Sequence, residues 1–411
     1  MDFVCVDIGA SCTRYINSAG KIGVVPNNMT LVERYENGVP VAVMDPVQCT
    51  VDSRDVMDNL EMIIEHPDEF IDNSELPIEK LFTKSNFPMH VLVGNMAHIN
   101  PGNPLTPKIN DNKTGQIVNY ISLLTSIALS RFRDKIGEHV TLYMALPPIE
   151  AKFRQNQLSK LYSGNYTVKF VRYGDEATVN FTIDSVECFP ESSAAVMSFL
   201  IGADGTPNEN YQRYGNKRLM SVDIGASTTD IVIMENGAIV EKTGKTYKVG
   251  GNLVIEKVKD QLMTFFSDVR MSDAMTAVTE GRVRMGGSQY KEIGSIVDAA
   301  KREVAHKIAE DMDRYFSDID MSMRDIDAIV VSGGGSMESS YVDNGEIRVT
   351  SSPMSKFLTE VLLEKYPAVD VVSHSDNPRM ANAYGLFVRA RLREVMEMKK
   401  AQMANTGSVQ A

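Results

Sequence analysis

Two rhythms of apolar and polar positions run through this chain. Phe3 to Val6 is an apolar run that enters Asp7-Ile8-Gly9, crosses small polar residues and continues into Tyr15 and Ile16. Leu219 to Val222 enters Asp223-Ile224-Gly225 in the same way, and Ile231 to Met234 follows. Paired apolar runs around a Gly-containing polar turn predict a β-hairpin at each place. Val140 to Leu146 predicts another strand, stopped by Pro147-Pro148, with a helical pattern opening at Ile149. Ala328 to Val331 predicts a further one, running into Ser332-Gly333-Gly334-Gly335-Ser336. Elsewhere the spacing is that of a helix: Leu253, Ile255, Val258 and Leu262 after Val249-Gly250-Gly251-Asn252, and Ile296, Ala299, Ala300, Val304 and Ile308 across 296–312. Gly202 to Asn216 is polar and rich in turn formers, which predicts an exposed loop. Strands interleaved with helices predict the α/β class.

The two hairpins are copies. Val6 to Thr13 and Val222 to Thr229 agree at seven of eight positions, with about half the chain between them. A duplicated supersecondary unit explains this, at a period too long for a solenoid. Each half is expected to be a mixed sheet with helices packed on it. We therefore expect a first domain over 1–155 with an inserted subdomain at about 33–100, and a second over 156–380 with an insert at about 265–295. The helix 382–400 should pack back on the first domain, and 404–411, without apolar periodicity, should be a flexible tail. The length of 411 residues suits two or more cores.

Composition narrows the function. With 43% hydrophobic and 23% charged residues the chain is ordinary globular protein. A net charge of −12 opposes direct nucleic-acid binding, which depends on Lys and Arg displacing counterions. The cysteines Cys5, Cys12, Cys49 and Cys188 form no CxxC pair and the histidines have no zinc-like spacing, so reduced thiols and no structural metal are expected. No basic segment leads an apolar core at the start, and no run of about 18 apolar residues occurs, so a cytoplasmic protein away from membranes is expected. The 24 methionines and absent tryptophan read as adaptable packing.

The turns offer chemistry. In Gly9-Ala10-Ser11-Cys12-Thr13 and Gly225-Ala226-Ser227-Thr228, glycine and small side chains leave backbone N–H groups bare, a concavity suited to an anion. Asp7 and Asp223 cannot usefully touch a phosphate, but each can hold a hydrated Mg²⁺ that bridges to one. A single copy could be a plain hairpin with a polar turn; two near-identical copies favour the phosphate reading. Glu150, near a helix start beyond a strand end, suits activation of a water or a favourable charge at the helix N-terminus, and its spacing fits either. Gly333, Gly334, Gly335 and Ser336 permit close approach of backbone to a ligand, with loop flexibility the alternative. Gly250, Gly251 and Asn252 place a glycine-rich turn at a helix N-terminus, where a ligand oxygen can sit. Lys301 and Glu303 on the 296–312 helix are candidate nucleotide contacts or solvated charges.

Two Asp-x-Gly hairpins, a strand-Pro-Glu segment between them and a late strand-Gly-Gly-Gly segment resemble, in order, the actin/hexokinase/heat-shock-chaperone ATPase superfamily. Within it the chain looks most like the ParM family of bacterial actin-like plasmid-segregation ATPases. Val24-Val25-Pro26-Asn27-Asn28 resembles the Pro-Asn after its first hairpin, and Ala145 to Glu150 its Leu-Pro-Leu-x-Glu. Cys188 to Ser192 resembles its Pro-Glu-Ser strand end, and Asp223 to Asp230 keeps its Asp-x-Gly-x-x-Thr-x-Asp spacing. The resemblance implies an actin-like fold of duplicated ribonuclease-H-like domains flanking a nucleotide cleft. It implies ATP (or GTP) with Mg²⁺ held through water by Asp7 and Asp223, phosphates gripped by the hairpins, Glu150 acting on the hydrolytic water, and Gly333 to Gly335 against the nucleoside. It further implies head-to-tail filaments of the chain with itself and a DNA-binding adaptor protein that links them to a plasmid. Cys12 departs from the pattern, where a hydroxyl or amide residue would be unsurprising, and Ala381 to Gly385 fits the last small-residue helix loosely. The alternatives are another bacterial cytoskeletal actin and a small-molecule kinase of the same superfamily; a kinase needs a catalytic Asp for a substrate hydroxyl, whereas Glu150 after Pro-Pro suits water.

Overall fold

A computed structural model describes residues 2–32, 35–36, 39–40, 59–65, 87–94, 96–97, 103–105, 113–171, 178–286, 289–343, 346–374 and 377–407. The chain divides into two compact units: Met1–Ala194 with Ala203–Gly205 and Ala383–Ala411, and Ala195–Gly202 with Thr206–Asn382.

The first unit is built on a ten-stranded sheet. Its strands are β1 (Asp2–Ile8), β2 (Cys12–Asn17), β3 (Ile22–Pro26), β4 (Met29–Leu31), β5 (Asn59–Ile64), β6 (Met89–Gly94), β7 (Asn103–Leu105), β8 (His139–Leu146), β9 (Gly164–Phe170) and β10 (Thr178–Pro190). They lie in the order β3-β2-β1-β8-β10-β9-β5-β6-β4-β7. β1 and β8 are central and parallel, with Asp7 beside Ala145. Both are buried almost throughout, which is why each reads as an unbroken apolar run. β9 has one buried face and alternates accordingly. Helix α1 (Ile117–Asp134) is buried over its first fourteen residues, and its hydroxyls Ser122, Thr125, Ser126 and Ser130 each donate to a carbonyl one turn back. Helix α2 (Pro148–Tyr162) begins with proline in its first turn, where no N–H partner is lost. Helix α3 (Glu191–Leu200) follows β10 directly.

Two features of this unit differ from the sequence reading. Residues 164–190, expected in the second domain, pair into the first sheet as β9 and β10, so the contact boundary falls after Ala194. Of the expected insert at 33–100, the described strands β5 and β6 extend that same sheet through β9, and most of the remainder, with Cys49, lies outside the described residues.

The second unit repeats the plan on a smaller sheet. It contains helix α4 (Glu209–Tyr214), then β11 (Arg218–Ile224), β12 (Thr229–Glu235), β13 (Ala238–Ile239), β14 (Lys245–Tyr247), helix α5 (Gly251–Leu262) and helix α6 (Met271–Glu280). There follow β15 (Arg282–Gly286), β16 (Gln289–Glu292), helix α7 (Gly294–Ile319), β17 (Ala328–Ser332), β18 (Ser339–Asp343), β19 (Glu346–Ser351), helix α8 (Met354–Lys365) and β20 (Asp370–Ser373). The sheet runs β13-β12-β11-β17-β20, with β14 also on β12; β15–β16 and β18–β19 are separate two-stranded hairpins. Val254, Val258 and Leu262 of α5 and Val297, Val304 and Ile308 of α7 form the buried stripe expected of amphipathic helices. Helix α4 occupies the stretch expected to be loop: the Asn208 side chain accepts from the Tyr211 N–H and caps it, and Tyr214 is buried.

The last helix, α9, runs from Ala381 to Gly407. Its part in the first unit rests on β1, with Phe387 5.8 Å from Phe3 and Arg391 donating to Ser18 O at 2.5 Å. It extends past the expected end at 400 and takes in 404–407 of the expected tail; 408–411 lie outside the described residues. Among the described residues no helix is long and apolar enough to cross a membrane.

Candidate functional site

In the second unit, three segments read separately from the sequence meet on one turn. The β11–β12 hairpin closes with the Gly225 N–H donating to Thr228 O at 2.8 Å. The carbonyls of Gly225 and Ala226 in turn accept the N–H groups of Gly251 (3.0 Å) and Asn252 (2.6 Å), the first residues of α5. Asn252 also donates from its side chain to Ser227 Oγ at 3.0 Å. These amides, expected to face a ligand, instead fix the turn. A Cβ on Gly250 would stand 2.7 Å from Gly225 O, and one on Gly335 would stand 2.5 Å from the same atom. Gly333 has φ +89°, and a Cβ there would lie 2.2 Å from Asp223 Oδ1. Ser336 is buried and donates to Gly333 O at 2.7 Å, so its hydroxyl serves the Gly334–Ser336 turn.

Beneath this turn sit two buried carboxylates. Asp223 and Asp230 are cross-strand partners, 6% and 5% exposed. Asn382 donates to Asp223 Oδ2 at 2.7 Å, and the Thr246 hydroxyl donates to Asp230. Cross-strand partners share a face at roughly 5 Å between Cβ atoms, a spacing that concentrates negative charge.

The first hairpin closes with the same backbone hydrogen bond but pairs its aspartate with a cation instead of a second carboxylate. Gly9 N–H donates to Cys12 O at 3.0 Å, and a Cβ on Gly9 would meet that oxygen at 2.8 Å. Asn27 holds the turn from below: its side-chain amide donates to Gly9 O at 2.5 Å, its N–H donates to Ser11 O, and its Oδ1 accepts from Thr13 (2.9 Å) and Ser122 (2.7 Å). Ser11 is exposed at the tip and Cys12 is half-buried behind it, while the Thr13 hydroxyl is turned inward. Opposite Asp7 stands Arg14, where the second hairpin has Asp230. Arg14 is 8% exposed, its Nη1 lies 3.4 Å from Asp7 Oδ2, and its buried Nε has no hydrogen-bond partner. A guanidinium held this way lies ready for an anion.

Glu150 lies in the first turn of α2, 7% exposed, just past the end of β8 and hence near the Asp7 end of β1. Its Oε1 accepts the Lys113 N–H at 3.0 Å, and Lys113 Nζ reaches Glu191 Oε1 at 2.5 Å. Glu191, 3% exposed, opens α3 at the end of the adjacent strand β10. The first unit thus brings together Asp7, Gly9 to Thr13 and Glu150, and adds Arg14, Lys113 and Glu191, which the sequence reading missed. Arg14 was legible as the single charge reversal between the twin hairpins; Lys113, in a polar segment far from any motif, was not.

Lys301 and Glu303 part company. Lys301, 4% exposed, points Nζ at Met337 O (3.2 Å), Ser339 Oγ (3.1 Å), Ser351 Oγ (2.8 Å) and Ser352 O (2.9 Å). It ties α7 to both feet of the β18–β19 hairpin, just beyond the triple glycine, and burial pushes its ammonium down to about 8. Glu303 lies on the exposed side of α7 and pairs with Lys257, the position of a solvated charge. Among the described residues no cluster of three or more His, Cys, Asp or Glu forms a direct metal cage.

Residues 221–340 match the family of archaeal actin homologues described as MreB-like, C-terminal. No curated protein matches the chain. Among solved structures it is similar to the actin-like protein Alp7A, at 18% identity with 98% of each chain covered and a TM-score of 0.67. It is similar to a 15-stranded ParM filament from Clostridium botulinum, at 17% identity, 96% of this chain, 100% of that one and 0.63. It is also similar to Bacillus thuringiensis ParM with ATP, at 14% identity, 96% and 99% coverage and 0.61. The chain has the actin-like fold, and the likeness to ParM read from its motifs is borne out at the level of that fold.

Proposed function

We propose that the chain is an actin-like nucleotide hydrolase that binds ATP (or GTP) with Mg²⁺, assembles head to tail into filaments and uses them to segregate DNA through a DNA-binding adaptor. One observation carries the nucleotide reading. Gly250, Gly333 and Gly335 pack where any side chain would strike the second hairpin, whose strands pair Asp223 with Asp230. Glycines this close to the turn keep side chains out of the space around it, which leaves room for phosphate oxygens. Two buried carboxylates fit a hydrated Mg²⁺, which keeps several waters and takes one or two carboxylates.

The charge reversal divides the labour. Asp223 with Asp230 is the magnesium side, where the ion would supply charge neutralisation for the phosphates. Asp7 shares its charge with Arg14, whose guanidinium serves the phosphates themselves. Glu150, fixed by the Lys113 N–H, orients and deprotonates the attacking water. The filament reading is supported by the whole-chain likeness to the Clostridium botulinum ParM filament, and the nucleotide by the likeness to ParM with ATP. A net charge of −12 is what an adaptor-dependent DNA mover would show. Pelleting and electron microscopy with and without ATP and Mg²⁺ test the reading. Sedimentable polymer only with nucleotide is the expected result, and a chain that neither binds nucleotide nor pellets would refute it.

A further inference from the structure

A short stretch of chain at the start of α9 decides how the Asp223 carboxylate is held. Its Oδ2 accepts from the Asn382 side-chain amide at 2.7 Å, and its Oδ1 occupies the space that a Cβ on Gly333 would need. The Gly333 N–H in turn donates at 2.9 Å to the carbonyl of Pro378, just before Asn382 in the chain. The helix start is itself anchored, because Ala381 O accepts from Ser198 Oγ at 2.8 Å. Asn382 is 7% exposed, so a buried amide is presented to Asp223 from a fixed support.

That amide can face only one way. A carboxylate accepts hydrogen bonds and donates none, so the Asn382 NH2 group has to point at Asp223 and its Oδ1 elsewhere. This Oδ1 is buried and has no hydrogen-bond partner among the described residues. Ser332 adds a second atom of the same kind. It is the register partner of Asp223 on β17, so the two side chains leave the same face of the sheet from strands about 4.8 Å apart. Its Oγ is buried, again without a partner among the described residues. Asp230, Asp223 and Ser332 therefore stand side by side on three adjacent strands, with Asn382 against the middle one. Buried polar atoms are nearly always paired, and two that are not, both beside one carboxylate, call for a missing partner.

We propose that Asn382 and Ser332 are positioning residues for the magnesium ion: Asn382 orients Asp223, and Asn382 Oδ1 with Ser332 Oγ accepts hydrogen bonds from the waters that the ion carries. The inference rests on the magnesium-nucleotide reading above and adds residues to that same site. Mg²⁺ loses water reluctantly and is held through one or two carboxylates. The waters it keeps are donors, so its site has to offer acceptors besides those carboxylates. Groups that hold a metal's ligands, without touching the metal, set much of its affinity. An amide kept only to brace the fold would have both of its ends bonded.

The test measures ATP and GTP affinity with EDTA and across a Mg²⁺ titration, together with melting curves of the ligand-free proteins. It compares the parent with Asn382→Leu, Ser332→Ala and, as a control, Ser221→Ala. Ser221 Oγ is also buried without a partner among the described residues, but it lies one pleat further into the sheet, between Val232 and Val330, which offer an ion nothing. Ser332→Ala removes no hydrogen bond within the described protein, so its melting curve should match the parent's. The Mg²⁺ concentration that half-maximally tightens nucleotide binding should nevertheless rise about tenfold, the scale of losing a group that supports a metal's ligands. Asn382→Leu should raise it at least as far while affinity in EDTA stays that of the parent. Affinity lost by one factor with and without Mg²⁺ would show that Asn382 only braces the fold, and would overturn its assignment. If Asn382→Leu does not fold, Ser332→Ala decides. Ser221→Ala should titrate as the parent does; an equal shift there would trace the effect to the sheet and overturn the proposal. Asn382→Leu and Ser332→Ala proteins that both respond to Mg²⁺ like the parent would overturn it too, and leave the nucleotide reading standing. A parent whose nucleotide binding ignores Mg²⁺, or is absent, would remove the magnesium reading and this inference with it.

Discussion

At residue scale, one position separates two otherwise matching hairpins. Arg14 faces Asp7 where Asp230 faces Asp223, so the two aspartates should respond differently to removal. Asp223→Asn should abolish most of the Mg²⁺ dependence of nucleotide binding, whereas Asp7→Asn should loosen Arg14 and leave more of that dependence in place; titrations at several Mg²⁺ concentrations separate them. Glu150→Ala should retain nucleotide binding and assembly while hydrolysis slows on the order of a hundredfold, a usual loss for a general base. Equal turnover in the two proteins would return Glu150 to a helix-start role. Lys301 makes a prediction in pH. Burial lowers its ammonium from an ordinary 10.5 to about 8, so between those values the unfolded chain binds more protons than the folded one and this residue's contribution to stability rises with pH. Below about 8 both states hold the proton and the burial cost stands in full. The melting temperature of the parent relative to Lys301→Met should therefore climb from pH 8 to 10; a flat difference would show that Lys301 titrates normally. Asp7, Asp223 and Glu150 were legible because motif and strand end coincide. The inward turn of Lys301 was not, since a lysine at helical spacing reads the same whether it faces solvent or a ring of oxygens.

At the scale of elements, the second hairpin is held by its neighbours rather than by its own turn alone. Gly333→Ala would force a Cβ to within 2.2 Å of Asp223 Oδ1, at φ 89° and ψ 156°, a backbone region essentially confined to glycine that costs another residue on the order of 1–3 kcal/mol. It should lower the melting temperature and weaken nucleotide binding together. Gly237→Ala, also at positive φ but with open space around it, should cost stability without touching affinity, and a matching loss of affinity there would argue that the effect is not local. The hairpins, the strand stopped at Pro147 and the amphipathic stripe of α7 were all legible from period and punctuation. The extension of the first sheet through β9 and β10 was not, because a repeat marks where a unit begins and is silent about where its predecessor ends. A glycine-rich helix start is equally ambiguous: Gly250-Gly251-Asn252 would look the same with its amides facing a ligand as facing the carbonyls of another turn.

At the scale of the whole molecule, each unit carries a version of one hairpin, and the two differ in charge at a single facing position, Arg14 in one and Asp230 in the other. The amides of Gly251 and Asn252 are already committed to the turn they support. That turn is ordered before any ligand arrives, and binding need not supply the entropy of arranging it. Those two amides should exchange with solvent slowly whether or not nucleotide is present. On the proposed reading, any report of which nucleotide is bound has to come from a part of the chain other than this turn, which would act as a fixed mould rather than as a sensor.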